Sequence, residues 1–219
     1  SLDRFQLVSF SDSHSYWPWR LGREATIFKE CSSYDQLIEA IRTGDGLEAT
    51  IEVDPSYGKY HYDGHRACGV CLHPKQAEKL HNICPVCGKP LTIGVLHRVE
   101  ELADRPAGEK PKNAKPYYSL LPLSEIIALA HNQDVNSKKT WQIYWKLIEK
   151  FGNEFNVLLR ADTEKIEDRR IADLILKNRK SKIRIRPGYD GEYGKALLND
   201  DEFVEQSYEK KQLGLSDFI

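Results

Sequence analysis

The sequence predicts an α+β chain in which a strand-rich beginning gives way to a cysteine-bearing ribbon and then to a small helical domain. Three observations carry that expectation. Short runs near the start alternate apolar and polar side chains, two Cys-x-x-Cys pairs stand 12 residues apart, and three later segments place apolar residues at three- and four-residue intervals. At 219 residues with 40% hydrophobic side chains, the chain holds enough apolar material for one or two cores without disulfides.

The elements follow in order. Phe5 to Phe10 alternates as a strand does and runs into the polar loop Ser11-Asp12-Ser13-His14. Ala25 to Phe28 reads as a second strand after the aromatic loop Tyr16-Trp17-Pro18-Trp19. Ser33 is placed to cap a helix with Gln36 at the capping-box position; Leu37, Ile38 and Ile41 form its apolar face, and Thr43-Gly44 stops it. Ala49 to Val53 is a further strand. From Asp54 to about Leu96 the chain is rich in Gly, Cys and His and too poor in apolar runs for a self-sufficient core, so a metal is expected to stabilise it.

Arg105 to Tyr118 holds three prolines and four basic residues against one acid, the composition of an exposed linker. Beyond it, Leu123 to Ala130, Lys138 to Phe151 and Thr163 to Asn178 read as helices, with Gly152 at a C-cap position. Ile183, Ile185 and the turn Pro187-Gly188-Tyr189-Asp190-Gly191 suggest an appended β-ribbon. No repeat of 20 to 50 residues occurs.

Composition excludes some function classes. Lys and Arg number 32 against 33 Asp and Glu, so any case for nucleic-acid binding must be local. No apolar run is long enough to span a bilayer and the start lacks a signal-peptide pattern, which leads to the expectation of a soluble, cytoplasmic protein with no membrane partner. The chain opens Ser1-Leu2-Asp3 and contains no Met, so its start is expected to be a processed or designed boundary and the chain a fragment.

Cys68-x-x-Cys71 and Cys84-x-x-Cys87 have the spacing of two zinc knuckles whose four thiolates close a tetrahedron. A redox or disulfide use is the alternative, and two such pairs together in a reducing compartment favour Zn2+. Four sulfur ligands leave no open position, so that zinc is expected to be structural. His61, His65, His73 and His81 surround the module and are candidates to replace a cysteine or contact substrate, although histidines beside such ribbons commonly only pack or hydrogen-bond.

Asp12 and His14, written D-x-H after a strand, place a carboxylate and an imidazole on one side of the chain, a pair suited to a divalent metal but short of a full ligand set. Ser11 to Ser15 followed by Trp17-Pro18-Trp19-Arg20-Leu21-Gly22-Arg23-Glu24 resembles the last metal-binding motif of polymerase-and-histidinol-phosphatase (PHP) domains as found in the endonuclease Q family. GKYHYDGHRACGVC at 58 to 71, NICPVCGKPLTIGVLHRVEELADRP at 82 to 106 and RPGYDGEYGK at 186 to 195 resemble the same family. The resemblance implies a DNA-repair endonuclease that nicks on the 5′ side of deaminated bases (hypoxanthine, uracil) or abasic sites, with a PHP domain ahead of a zinc-binding, helical C-terminal half. It makes Asp12 and His14 part of a multinuclear site for Zn2+, Mg2+ or Mn2+ whose other ligands, including an H-x-H, are not found before Asp12, so this chain alone is expected to be inactive. No Walker A phosphate loop supports a helicase reading.

Three segments are candidate partner surfaces. Lys177 to Arg186 holds six cations and no acid; Lys180, Lys182, Arg184 and Arg186 are phosphate-contact candidates, with a solvated helix end as the plain alternative. Trp17, Trp19, Arg20 and Arg23 beside the D-x-H motif either stack on bases of damaged DNA or cover the end of a barrel. The tail carries Gln212, Leu215, Phe218 and Ile219 in the pattern Q-x-x-L-x-x-F-I, similar to peptides that dock on sliding clamps.

The expected organisation is therefore residues 1–54 as the end of a PHP-like α/β unit, 55–104 as a four-cysteine zinc ribbon, 105–118 as linker, 119–205 as a helical domain with β-ribbon and 206–219 as tail. The alternative class is a non-enzymatic adaptor for nucleic acid or protein.

Overall fold

The computed structural model describes residues 3–17, 20–198, 205, 206 and 208. In chain order the elements begin with β1 (Ala25–Phe28), α1 (Tyr34–Thr43), β2 (Leu47–Glu52), β3 (Asp63–His65), β4 (Val70–Leu72), α2 (Pro74–Lys79) and α3 (Val95–Leu102). They continue with β5 (Tyr117–Ser119), α4 (Leu123–His131), α5 (Lys138–Phe151), α6 (Arg169–Arg179), β6 (Ile185–Arg186) and β7 (Lys195–Ala196). The elements sort into two compact units. One comprises the described residues of Ser1–Asp54 with Ala107–Arg184, and the other Pro55–Pro106 with the described residues from Ile185 onward.

In the first unit β2 is the middle strand, antiparallel to β1 and parallel to β5. Helix α1 starts as its sequence demands: the Ser33 hydroxyl accepts the Gln36 N–H at 3.2 Å, and Gln36 Oε1 reaches back to the Ser32 N–H at 2.8 Å. Helices α4, α5 and α6 bury Leu123, Ile126, Ile127, Leu147, Ile171 and Ile175, and Leu158 and Ile166 are buried in the segment between α5 and α6. The Asn178 side chain, 2% exposed, ties α6 to the strand exit by accepting the Leu121 N–H at 2.9 Å and donating to the Leu121 carbonyl at 3.1 Å.

The second unit has a small core of Val70, Leu72, Ala77, Cys84 and Leu91. Strands β3 and β4 form a hairpin, and β6 and β7 a two-stranded ribbon. Gly188 begins the turn of that ribbon because a side chain there would collide with the Gly58 and Glu192 carbonyls.

Four expectations need correction. Phe5 to Phe10 is not a strand among the described residues; Ser9 satisfies its backbone through the Thr26 side chain, whose hydroxyl accepts the Ser9 N–H at 2.9 Å and donates to the Ser9 carbonyl at 2.8 Å. The expected linker ends inside the first unit's sheet, since Tyr117 and Tyr118 pair with Thr50 and Ile51. The third expected helix starts later than Thr163: Thr163–Lys165 is one 3₁₀ turn, and α6 begins after Asp168, whose carboxylate accepts the Arg170 and Ile171 N–H groups. The ribbon belongs to the cysteine-bearing unit, to which it is knitted by Gly188 N–H to Ser56 O at 2.8 Å, Gly191 N–H to Lys59 O at 3.0 Å and Gly194 N–H to Tyr57 O at 3.1 Å.

Candidate metal centre

Two tight turns present the ligands. β3 runs into a 3₁₀ turn, Arg66–Cys68, which ends at Gly69 in the left-handed region (φ 66°), whose N–H returns to Arg66 O. The second turn is closed by Cys84 N–H to Lys89 O at 2.8 Å and Gly88 N–H to Cys84 O at 2.9 Å. Together they bring the ligand atoms of His65, Cys68, Cys84 and Cys87 within 4.8 Å of one another, with His65 Nδ1 3.3 Å from Cys87 Sγ.

Cys71 is not in that group, which corrects the expected four-cysteine set. Gly69 releases the chain from its turn, so Cys71 falls inside β4 opposite Gly64, buried, its N–H given to Gln206 Oε1 at 3.0 Å. Burial pushes its thiol up to about 12, so it stays protonated at neutral pH. His65 takes the vacated place. The signal was present as His65-x-x-Cys68, the same step as Cys84-x-x-Cys87, and the more conspicuous Cys-x-x-Cys string masked it.

The donor chemistry fits a metal ion. Burial raises the Cys68 thiol to about 11, whereas the Lys89 backbone N–H lowers Cys87, and a cation among thiolates offsets their mutual repulsion. Three thiolates and an imidazole suit a tetrahedral, soft-to-borderline ion, and four protein donors leave no position for substrate. Of the other histidines, His61 is buried and stacks on Tyr62 at 5.4 Å, and His73 Nδ1 accepts the Lys75 N–H to cap α2. Beneath the module, fully buried Asp63 accepts the Gly94 N–H and an N–H from His97, each at 2.6 Å, and that bond to Asp63 raises His97.

Of the remaining candidates, Arg186 is in the second unit and the others are in the first unit or outside the described residues. Asp12 and His14 are exposed, and the His14 ring is held by its Nδ1 at 2.7 Å from the Asp12 carbonyl, so that with Nδ1 donating the lone pair for a ligand bond is on Nε2. Among the described residues no third His, Cys, Asp or Glu joins them in a metal-ligating group. Tyr16 and Trp17 are exposed and stacked at 4.9 Å, and Arg20 is exposed. Arg23, which lines a cleft of about 610 Å³, is instead mostly covered and paired with Glu125 at 3.5 Å. Lys177, Lys180, Lys182, Arg184 and Arg186 are exposed, but Arg179 turns inward to donate to the Val157, Leu158 and Ala161 carbonyls. Trp19, Gln212, Leu215, Phe218 and Ile219 lie outside the described residues. No helix among the described residues is long and apolar enough to cross a membrane.

The model of the MJ0043 C-terminal domain family matches residues 122–182. Protein MJ0043 of Methanocaldococcus jannaschii is 38% identical over 196 residues, covering 86% of this chain and 25% of its own length. Protein YqxK of Bacillus subtilis is 28% identical over 201 residues, covering 89% and 47%. The structure is similar to the lesion-specific endonuclease PfuEndoQ from Pyrococcus furiosus, with TM-score 0.80, 33% identity and coverage of 91% of this chain and 50% of that one. It is also similar to an Endonuclease Q in complex with a 27-mer duplex substrate bearing an abasic lesion at the active site, with TM-score 0.76, 32% identity and coverage of 91% and 51%. The chain thus spans about half the length of the solved structures, and a quarter to a half of the curated relatives, that it matches.

Proposed function

This chain belongs to the endonuclease Q family, and from that premise we propose that it is the metal-stabilised, DNA-binding part of a DNA-repair endonuclease that nicks 5′ to deaminated bases or abasic sites. The observation that carries the reading is the likeness, over nine-tenths of the chain, to an enzyme solved with a lesion-bearing duplex.

The residues divide the work. His65, Cys68, Cys84 and Cys87 hold a structural zinc that closes the second unit and takes no part in hydrolysis. Asp12 and His14 contribute two ligands to a PHP-type centre, whose divalent ions when bound supply a hydroxide nucleophile and neutralise charge on the scissile phosphodiester. The Asp12 carbonyl holds the His14 ring through Nδ1, which assigns the ligand lone pair to Nε2. Exposed Lys180, Lys182, Arg184 and Arg186 meet backbone phosphates, which positions the duplex without reading sequence. Tyr16 and Trp17 offer an aromatic pair to a base or a gap in the stack. The tail residues Gln212, Leu215, Phe218 and Ile219 are a docking peptide for a sliding clamp.

The test uses the native full-length protein, Mn2+ and a duplex with a single deoxyinosine. A nick on the 5′ side of the lesion is expected, lost in Asp12→Ala and His14→Ala proteins that keep their structural zinc. An intact strand with the unaltered protein overturns the reading.

A further inference from the structure

The first ligand-bearing turn has an end that its own residues do not satisfy. A 3₁₀ turn starting at Arg66 leaves that residue's N–H without a partner inside the turn, and the side chain just before it ordinarily supplies the cap. Here that side chain is His65, which makes no cap bond because its ring is drawn to Cys87 Sγ, 3.3 Å away. The acceptor comes from 124 residues along the chain: Asp190 Oδ2 takes the Arg66 N–H at 2.6 Å.

Asp190 is itself fixed. Its other oxygen accepts the Thr92 hydroxyl at 2.7 Å, and Thr92 follows the Cys84–Cys87 turn and bonds back to Gly64 through its own N–H at 2.8 Å. One carboxylate therefore spans both ligand-bearing segments. The ribbon turn that carries it is held in turn by the Gly188 carbonyl, which accepts the His61 and Tyr62 N–H groups at 3.2 and 3.0 Å. Gln206 grips the far side of the same loop, accepting the Cys71 N–H and donating to the Gly69 carbonyl, each at 3.0 Å.

We propose that Asp190 is a positioning residue of the metal site, which sets the His65–Cys68 turn in ligand-ready geometry and so makes metal affinity depend on the ribbon. This rests on the metal reading of His65, Cys68, Cys84 and Cys87. Outer carboxylates and amides that orient ligands typically cost about 10- to 100-fold in metal affinity when removed.

The test follows Co2+ absorption and zinc competition against a chelator in the 219-residue protein. Asp190→Ala weakens zinc by about 10- to 100-fold and alters the cobalt d–d bands. Asp190→Asn, which keeps an oxygen for Arg66 and an amide for Thr92, restores most of both. Arg66→Pro tests the bond from its other end, because proline fits the first position of a helical turn and removes only the N–H that Arg66→Ala retains. Arg66→Pro matches Asp190→Ala, Arg66→Ala stays near wild type, and the double variant Asp190→Ala, Arg66→Pro is no weaker than either single one. Wild-type affinity and spectrum in both Asp190→Ala and Arg66→Pro overturn the inference. A wild-type protein that shows no thiolate–cobalt band overturns the metal reading and this inference with it.

Discussion

At the scale of single residues, the metal centre turns on which side chain fills the fourth position. His65 stands 3.3 Å from Cys87 Sγ, whereas Cys71 lies in the β3–β4 ladder with a thiol that burial keeps protonated. Cys71→Ala should retain about one metal per chain, because it removes no ligand. His65→Ala should lower the bound metal and shorten its retention against a chelator. Elemental analysis of the two proteins checks this, and loss of metal from Cys71→Ala alone restores the four-cysteine set. Only part of this was legible beforehand. Cys68, Cys84 and Cys87 announce themselves by residue type and spacing, but nothing in a linear string tells that Gly69 ends the turn and commits Cys71 to a strand.

At the scale of elements, Glu154 and Arg179 show charged side chains used to finish helix ends. Pro122 offers α4 no side-chain cap, so Glu154 Oε1 accepts the Leu123 N–H at 2.7 Å while Oε2 accepts the Tyr144 hydroxyl at 2.8 Å. Burial raises the Glu154 carboxyl above its ordinary 4.5 despite these bonds. A folded-state value above the unfolded one means the folded protein holds the proton longer, so the stability this group contributes is full below pH 4.5 and is lost as pH rises through the folded value. Glu154→Gln keeps both partners and is never ionised, so its stability advantage over wild type should widen from pH 4.5 upward. Glu154→Ala leaves the Leu123 N–H without its acceptor and should cost about 1–3 kcal/mol. Denaturant midpoints across the acid to neutral range measure both.

The basic run separates by the same reasoning. Arg179 caps three carbonyls, so Arg179→Ala should destabilise the first unit and leave the salt dependence of DNA binding unchanged. Replacing Lys180, Lys182 and Arg184 together by Ala should instead leave the melting temperature near wild type. That triple change should flatten the slope of log K against log salt by about 0.9 for each phosphate that the protein no longer neutralises. The helical bounds were largely legible: α5 spans Lys138–Phe151 as its apolar spacing and Gly152 predict. Helices α2 and α3 were not, because each is short and lies among the Gly, Cys and His residues that mark the metal module.

At the scale of the whole molecule, the division into units was the part least readable from sequence. Local patterning places a β-ribbon near Ile185 but says nothing of what it packs against, and only bonds to residues far back in the chain, from Gly188 to Ser56 and from Arg66, 124 residues back, to Asp190, join the ribbon to the metal module. Long-range pairings of this kind depend on tertiary fit, and the Pro-rich stretch before Tyr117 likewise hides a strand that only its partner β2 reveals. Family resemblance was legible because the motifs around Asp12, Cys68, Cys84 and Asp190 are long and distributed along the chain.

The proposed role, a metal-stabilised unit that binds damaged DNA through its phosphate backbone, has a direct readout. It is tested most directly by fluorescence anisotropy of the zinc-loaded protein with a duplex bearing one abasic site, titrated between about 50 and 200 mM salt. Saturable binding is expected whose log K falls linearly with log salt, with a shallower fall in the Lys180, Lys182, Arg184 triple variant. No binding at the lowest salt, or binding indifferent to salt and to that variant, would contradict it.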